Sequence, residues 1–201
     1  MTLKKIYFVR HGQTIFNKMN KIQGSSDIEL SEEGKKQALD VKLDNKNFNM
    51  LVHSGLKRSK ETLDIIKENL NLEGLYQEND LVIERGYGIF EGFTKNDIKE
   101  KYSSLYEEWI KNENAEIENA ESIESVISRF LKFIEYVKSS DLNNILAVTH
   151  SGFLYAIYKY ITNTNLGIRP LIKFPNCCVT VLIIKDNNKL EFIVGDETYV
   201  N

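Results

Sequence analysis

The sequence predicts an α/β fold, a three-layer α/β/α sandwich around a largely parallel central sheet. Three observations carry that reading. Short apolar runs alternate with longer stretches of helical period, the pattern of β–α units. The last two apolar runs are separated only by "KDNNK" (185–189), which predicts an antiparallel hairpin at the end of the sheet. Three apolar runs each end in a histidine, and strand ends are where open α/β sheets bind ligands.

The elements follow in order. "KKIYFV" (4–9), "MLV" (50–52), "LVI" (81–83), "NILAVT" (144–149), "CCVTVLII" (177–184) and "LEFIVG" (190–195) read as strands. Ser31 before Glu32 and Glu33 is an N-cap with an acidic first turn, predicting a helix to about Leu43. Beyond Leu56, Leu63, Ile66 and Leu70 fall at helical spacing. After Ser122, Ile123, Val126, Ile127, Phe130, Ile134 and Val137 form one apolar face. "GFLYAIYKYI" (152–161) is apolar nearly all round, as a helix buried against a sheet should be. The acidic stretch 93–120, holding the single tryptophan Trp109, reads as a helical insertion over one end of the sheet. Residues 1–201 thus read as one domain with that insertion covering the site.

Composition narrows the function. The chain is 42% hydrophobic and 27% charged with a net charge of −3, so no basic field argues for nucleic acid or a membrane surface. No apolar stretch nears the roughly 18 residues of a spanning helix, and the apolar run near Met1 is too short for a signal-peptide core. Cys177 and Cys178 are adjacent, which disfavours a disulfide and predicts reduced thiols in the cytoplasm. Five of the 26 basic residues are arginine (Arg10, Arg58, Arg85, Arg129, Arg169), so arginine sites merit attention for planar, bidentate contacts.

His11, His53 and His150 end the runs "IYFVR", "MLV" and "ILAVT". Gly12 follows the first, and Ser151-Gly152 the last, small residues that let backbone N–H groups approach an anion at a helix start. Arg10 and Arg58 can reach the same sheet edge, and Glu84 follows "LVI" as a carboxylate at a strand end. Together these residues form a pocket for a phosphoryl group with one proton-transferring acid. A satisfied core histidine and a surface arginine ion pair remain the alternatives for each taken singly.

Five blocks, "RHGQT" with Asn17, "QGSSDIELSEEGKKQA", "HSGLKRSKET", "ERGYGIFEG" and "AVTHSG", resemble in order and spacing the phosphoglycerate mutase-like histidine phosphatase superfamily. The resemblance runs from Tyr7 to about Val181. It implies that His11 is the nucleophile that becomes phosphorylated. It also implies a phosphate pocket of Arg10, Arg58 and His150, with Asn17 and Gln23 as further donors and Gly12, Thr14, Gly24, Ser151 and Gly152 around it. Glu84 matches the proton donor, with a pKa raised by partial burial, and Glu91 matches a structural position. No metal and no cofactor are implied. The chain departs from the family's usual pattern at Gly55 (commonly aspartate), Ile83 (commonly arginine) and "IENAES", where only Glu121-Ser122 is retained. His53 is expected to be structural.

The expected activity is hydrolysis of small phosphomonoesters through a phosphohistidine. Only about 28 residues separate Gly92 from Glu121, shorter than the insertion of cofactor-dependent mutases. A phosphoglycerate mutase is the alternative, followed by a non-catalytic phospholigand-binding module. A three-histidine metallohydrolase is disfavoured by the arginines beside the histidines. The partner is a small phosphomonoester, with a homodimer left open. The aromatics of 87–109 do not identify the substrate.

Overall fold

The computed structural model describes residues 3–45, 47–168, 171–186 and 189–201. Seven strands form one sheet in the order β3-β2-β4-β1-β5-β6-β7: β1 (Lys4–Arg10), β2 (Asn47–His53), β3 (Glu73–Glu78), β4 (Asn144–Thr149), β5 (Val179–Ile184), β6 (Leu190–Val194) and β7 (Glu197–Val200). β3, β2, β4 and β1 run parallel. β5, β6 and β7 are added antiparallel at the β1 side. The sheet is therefore mixed: its parallel half carries the histidine-ended strands, and antiparallel pairing extends beyond the final hairpin.

Alternation along β1 divides the core. Ile6 and Phe8 pack on one face with Phe130, Phe133 and Ile134 of α6 (Ile123–Ser139) and Phe153, Leu154 and Ile157 of α7 (Ser151–Thr162). Tyr7 and Val9 pack on the other with Ala38 of α2 (Glu32–Leu39) and Leu63 and Ile66 of α3 (Lys57–Leu70). Helices on both faces explain why the central strands read as unbroken apolar runs. Ser31 caps α2 as expected, its hydroxyl accepting from the Gly34 N–H at 3.1 Å. The helix ends at Leu39, four residues short of the expected boundary.

A third apolar cluster stands apart: Phe90, Ile98, Trp109, Ala115 and Ile117. It is built by α4 (Lys95–Lys101), α5 (Ser103–Lys111) and their flanks. The Ile22 N–H donates to the Phe93 carbonyl and the Gly92 N–H to the Ile22 carbonyl (2.9 and 2.8 Å), tying this segment to the loop after β1.

Four elements differ from the sequence reading. "LVI" is not a strand: the Asn79 side chain accepts from the Leu81 N–H at 3.0 Å and starts a single 3₁₀ turn over Asp80–Val82. The strand in that region is β3, "EGLYQE", an edge strand whose exposed side chains hide it from an apolar pattern. β7 and the one-turn helix α1 (Ile15–Lys18) are likewise too short and too polar to show.

Candidate active site

Register brings the site together. β1 and β4 are parallel neighbours with Arg10 opposite Thr149, so the next residues, His11 and His150, emerge side by side. Their ring centroids are 5.1 Å apart, and both are fully buried. β2 lies on the other side of β4 with His53 opposite Val148, which places Ser54 beside His150. The three strand ends thus form one floor.

Hydrogen bonds fix the protonation of both rings. Nδ1 of His11 is 2.7 Å from the Gly12 carbonyl, which can only accept. Nδ1 therefore carries the proton, and Nε2 keeps its lone pair. His150 is the reverse: its Nδ1 accepts from Nε of Arg58 at 3.3 Å, so the proton is on Nε2, which donates to the Ser54 hydroxyl at 2.7 Å. Burial chiefly, then the Arg58 guanidinium, hold both imidazoles well below the ordinary histidine range. With both nitrogens engaged, His150 offers no lone pair to a metal. His53 does not join the floor: its Nδ1 accepts from the Gly55 N–H and its ring packs 5.3 Å from Tyr76.

Arg58 is completely buried and anchored by carbonyls, donating to Ser26 O (2.6 Å) and Gly24 O (2.8 Å). Burial lowers its pKa to about 10, which leaves it cationic at neutral pH. Arg10 donates to the Phe174 carbonyl at 2.6 Å, while its buried Nε has no partner among the described residues. A buried N–H of that kind is suited to a ligand oxygen.

Glu84 is nearly buried at the start of α7. Oε1 accepts from the N–H groups of Arg85 (2.8 Å) and Phe153 (3.1 Å), and Oε2 from Gly152 (3.2 Å). Burial raises its pKa, against the opposing pull of Arg58 and these N–H groups. The α7 N-terminus expected to hold an anion thus holds this carboxyl group. Gly152 is glycine because a Cβ there would stand 2.5 Å from Oε1 of Glu84. Ser151 opens α7 half-buried.

Gly12 has a different task from the one expected. Its N–H donates to the Thr62 hydroxyl at 3.0 Å, and a Cβ would meet the Gly34 carbonyl at 2.5 Å. It lets α2 close onto the loop after β1. Thr14 caps α1 and donates to Oε1 of Gln23 at 2.8 Å; Asn17 completes the capping box. Glu91 is structural, accepting from Ser25, Ser26 and the Tyr87 N–H around the Gly24 turn.

Four side chains escaped the sequence reading. Ser54 and Ser59 stand behind His150, Thr62 supports Gly12, and Asn176 donates to the His11 carbonyl at 2.8 Å. The repeated His-Ser-Gly at 53–55 and 150–152 was the available signal for Ser54. The arginine count proved informative: Arg10, Arg58, Arg85 and Arg129 all donate to backbone carbonyls. Arg129, paired with Glu121 at 2.8 Å, holds the Leu81 and Ile83 carbonyls just before Glu84. Arg169 lies outside the described residues.

A model of the histidine phosphatase superfamily (branch 1) matches residues 6–193. The chain belongs to this superfamily. Phosphoserine phosphatase 1 of Hydrogenobacter thermophilus is 31% identical over 81% of this chain and 78% of its own. A 2,3-bisphosphoglycerate-dependent phosphoglycerate mutase of Buchnera aphidicola is 33% identical over 82% of this chain and 86% of its own. Among solved structures, Bacillus stearothermophilus YhfR superposes with a TM-score of 0.81 at 23% identity, covering 96% of this chain and 95% of the other. This histidine phosphatase thus shares the fold of that structure, and it is a phosphatase-type enzyme by family and relatives. No helix among the described residues is long and apolar enough to cross a membrane.

Proposed function

We propose that this histidine phosphatase hydrolyses small, polar phosphomonoesters by way of a phosphohistidine on His11. The observation that carries the reading is the free Nε2 lone pair of His11, held beside two guanidiniums and His150. Nε2 attacks phosphorus, forming a P–N bond as the P–O bond to the alcohol breaks. Glu84, protonated, gives its proton to the departing alkoxide. Water then attacks phosphorus and gives a proton to the Glu84 carboxylate, the P–N bond breaks, and inorganic phosphate leaves with His11 restored. Arg10 and Arg58 carry the charge on the phosphoryl oxygens throughout. Asn17 lines the cleft beside Arg10, and Gln23 is read as a further donor behind it.

A cleft of about 620 Å³ adjoins Arg10 and Asn17 and runs to Asn20, Lys21, Lys95 and Asn96. Among its described lining residues there is no carboxylate. That favours an alcohol portion that is itself polar and anionic, such as phosphoserine or a phosphoglycerate. Residues 93–120 are read as the cover of this cleft within one domain, and the helices on both sheet faces as the outer layers of a three-layer α/β/α sandwich.

The test is turnover of p-nitrophenyl phosphate, phosphoserine and 3-phosphoglycerate. His11→Ala should abolish both phosphate release and phosphoenzyme, and unchanged hydrolysis would overturn the mechanism. The mutase relative favours a second reading. Efficient 2-/3-phosphoglycerate interconversion dependent on 2,3-bisphosphoglycerate, without phosphate release, would replace hydrolysis by transfer.

A further inference from the structure

Behind the reacting groups lies a buried chain of hydroxyls that the mechanism above does not use. Ser54 is 2% exposed, and Ser59 and His150 are fully buried. The Ser54 hydroxyl is 2.7 Å from Nε2 of His150 and 2.8 Å from the Ser59 hydroxyl. Ser59 also accepts from the Ser54 N–H at 2.9 Å.

The directions of these bonds are forced. Arg58 Nε is always a donor, so Nδ1 of His150 must be the acceptor at their 3.3 Å contact. The imidazole must then carry its proton on Nε2, and Ser54 must accept it. Ser54's own proton goes to Ser59, which receives two bonds and holds the hydroxyl in place. The alternative neutral tautomer would set an N–H of His150 against the N–H of Arg58 and strip Ser54 of its donor. Both are costly for groups buried this deeply.

We propose that Ser54, braced by Ser59, is a positioning residue that anchors the Nε2–H of His150, so that its Nδ1 accepts from Arg58 and holds that guanidinium at the phosphoryl pocket. The inference rests on the reading that His150 belongs to that pocket. Ser59 sits one residue after Arg58 at the start of α3, so one helical turn supplies both the guanidinium and the brace for its histidine partner.

The experiment measures which nitrogen of His150 is protonated, by two-bond ¹H–¹⁵N correlation spectra of the whole chain, together with kinetics on p-nitrophenyl phosphate. In the native protein His150 should show the Nε2–H pattern and His11 the Nδ1–H pattern. Ser54→Ala should shift the Nε2–H resonance of His150, which loses its acceptor, and lower kcat/KM about ten- to hundredfold, the effect expected of an unsatisfied buried donor. Ser54→Thr, which keeps the hydroxyl, should restore both. Ser59→Ala should produce a smaller loss of the same kind, and serves as the test if Ser54→Ala does not fold. An unchanged His150 Nε2–H resonance with undiminished kcat/KM in the alanine variants would overturn the proposal. Failure of the underlying reading looks different: His150→Ala would then remain as active as the native enzyme.

Discussion

At the scale of single residues, the site works by opposed environments. Burial pushes His11 down and Glu84 up, so the proposed nucleophile stays neutral while the proposed acid holds its proton to a higher pH than an ordinary carboxyl group. The sign for activity follows. Activity falls on the acid side as His11 protonates, well below its ordinary 6.5, and on the basic side as Glu84 loses its proton, above its ordinary 4.5. kcat/KM should therefore be bell-shaped, with the basic limb belonging to Glu84. Glu84→Gln should erase that limb and slow alkyl esters such as phosphoserine by about 10²–10⁴-fold. p-Nitrophenyl phosphate, whose leaving group needs no proton, should suffer far less. A basic limb that persists in the variant, with equal losses on both substrates, would remove Glu84 from the acid's role.

At the scale of elements, the loop that carries His11 is positioned by close backbone approach. A Cβ on Gly34 would stand 2.0 Å from the Gln13 carbonyl, and one on Gly12 would meet the Gly34 carbonyl. Two glycines facing each other allow α2 to press against residues 12–13, and no side chain intervenes. Gly34→Ala should force the elements apart, destabilising the protein by about 1–3 kcal/mol in urea titrations and lowering kcat by displacing His11. Native stability and turnover in that variant would show that the contact relaxes freely. Lys159 of α7 makes a second tie: buried, it bonds Glu113 at 2.6 Å and the Leu166 carbonyl at 2.8 Å. It fastens the end of the 93–120 segment and the loop after α7 to the helix that carries Glu84's N–H donors.

At the scale of the whole molecule, two clusters flank the sheet and a third stands under α4 and α5. The only tryptophan, Trp109, lies in the third, so its fluorescence reports that cluster alone. A small separate cluster opens at lower cost than the sheet core. The urea midpoint followed by fluorescence should thus lie below the midpoint followed by far-UV circular dichroism. Coincident curves would mean that the 93–120 segment and the sheet unfold as one unit.

The sequence by itself determined the α–β alternation and the central strands, and it singled out Arg10, His11, Arg58, Glu84 and His150, the residues of the candidate site. These are legible because a strand buried on both faces has nothing but apolar residues until it ends, and a charged or titratable residue there stands out. The antiparallel pairing of β5 with β1, edge strands β3 and β7, and the 3₁₀ turn before Glu84 were not legible, since sheet order, exposed edges and capped turns carry no apolar period. Tertiary structure alone decided which nitrogen of each histidine bears the proton, what the α7 N-terminus holds, and that Gly12 serves α2. Each of these depends on partners distant in the chain, such as Ser54 with His150 or Gly12 with Gly34, and only the register of neighbouring strands and helices sets those distances.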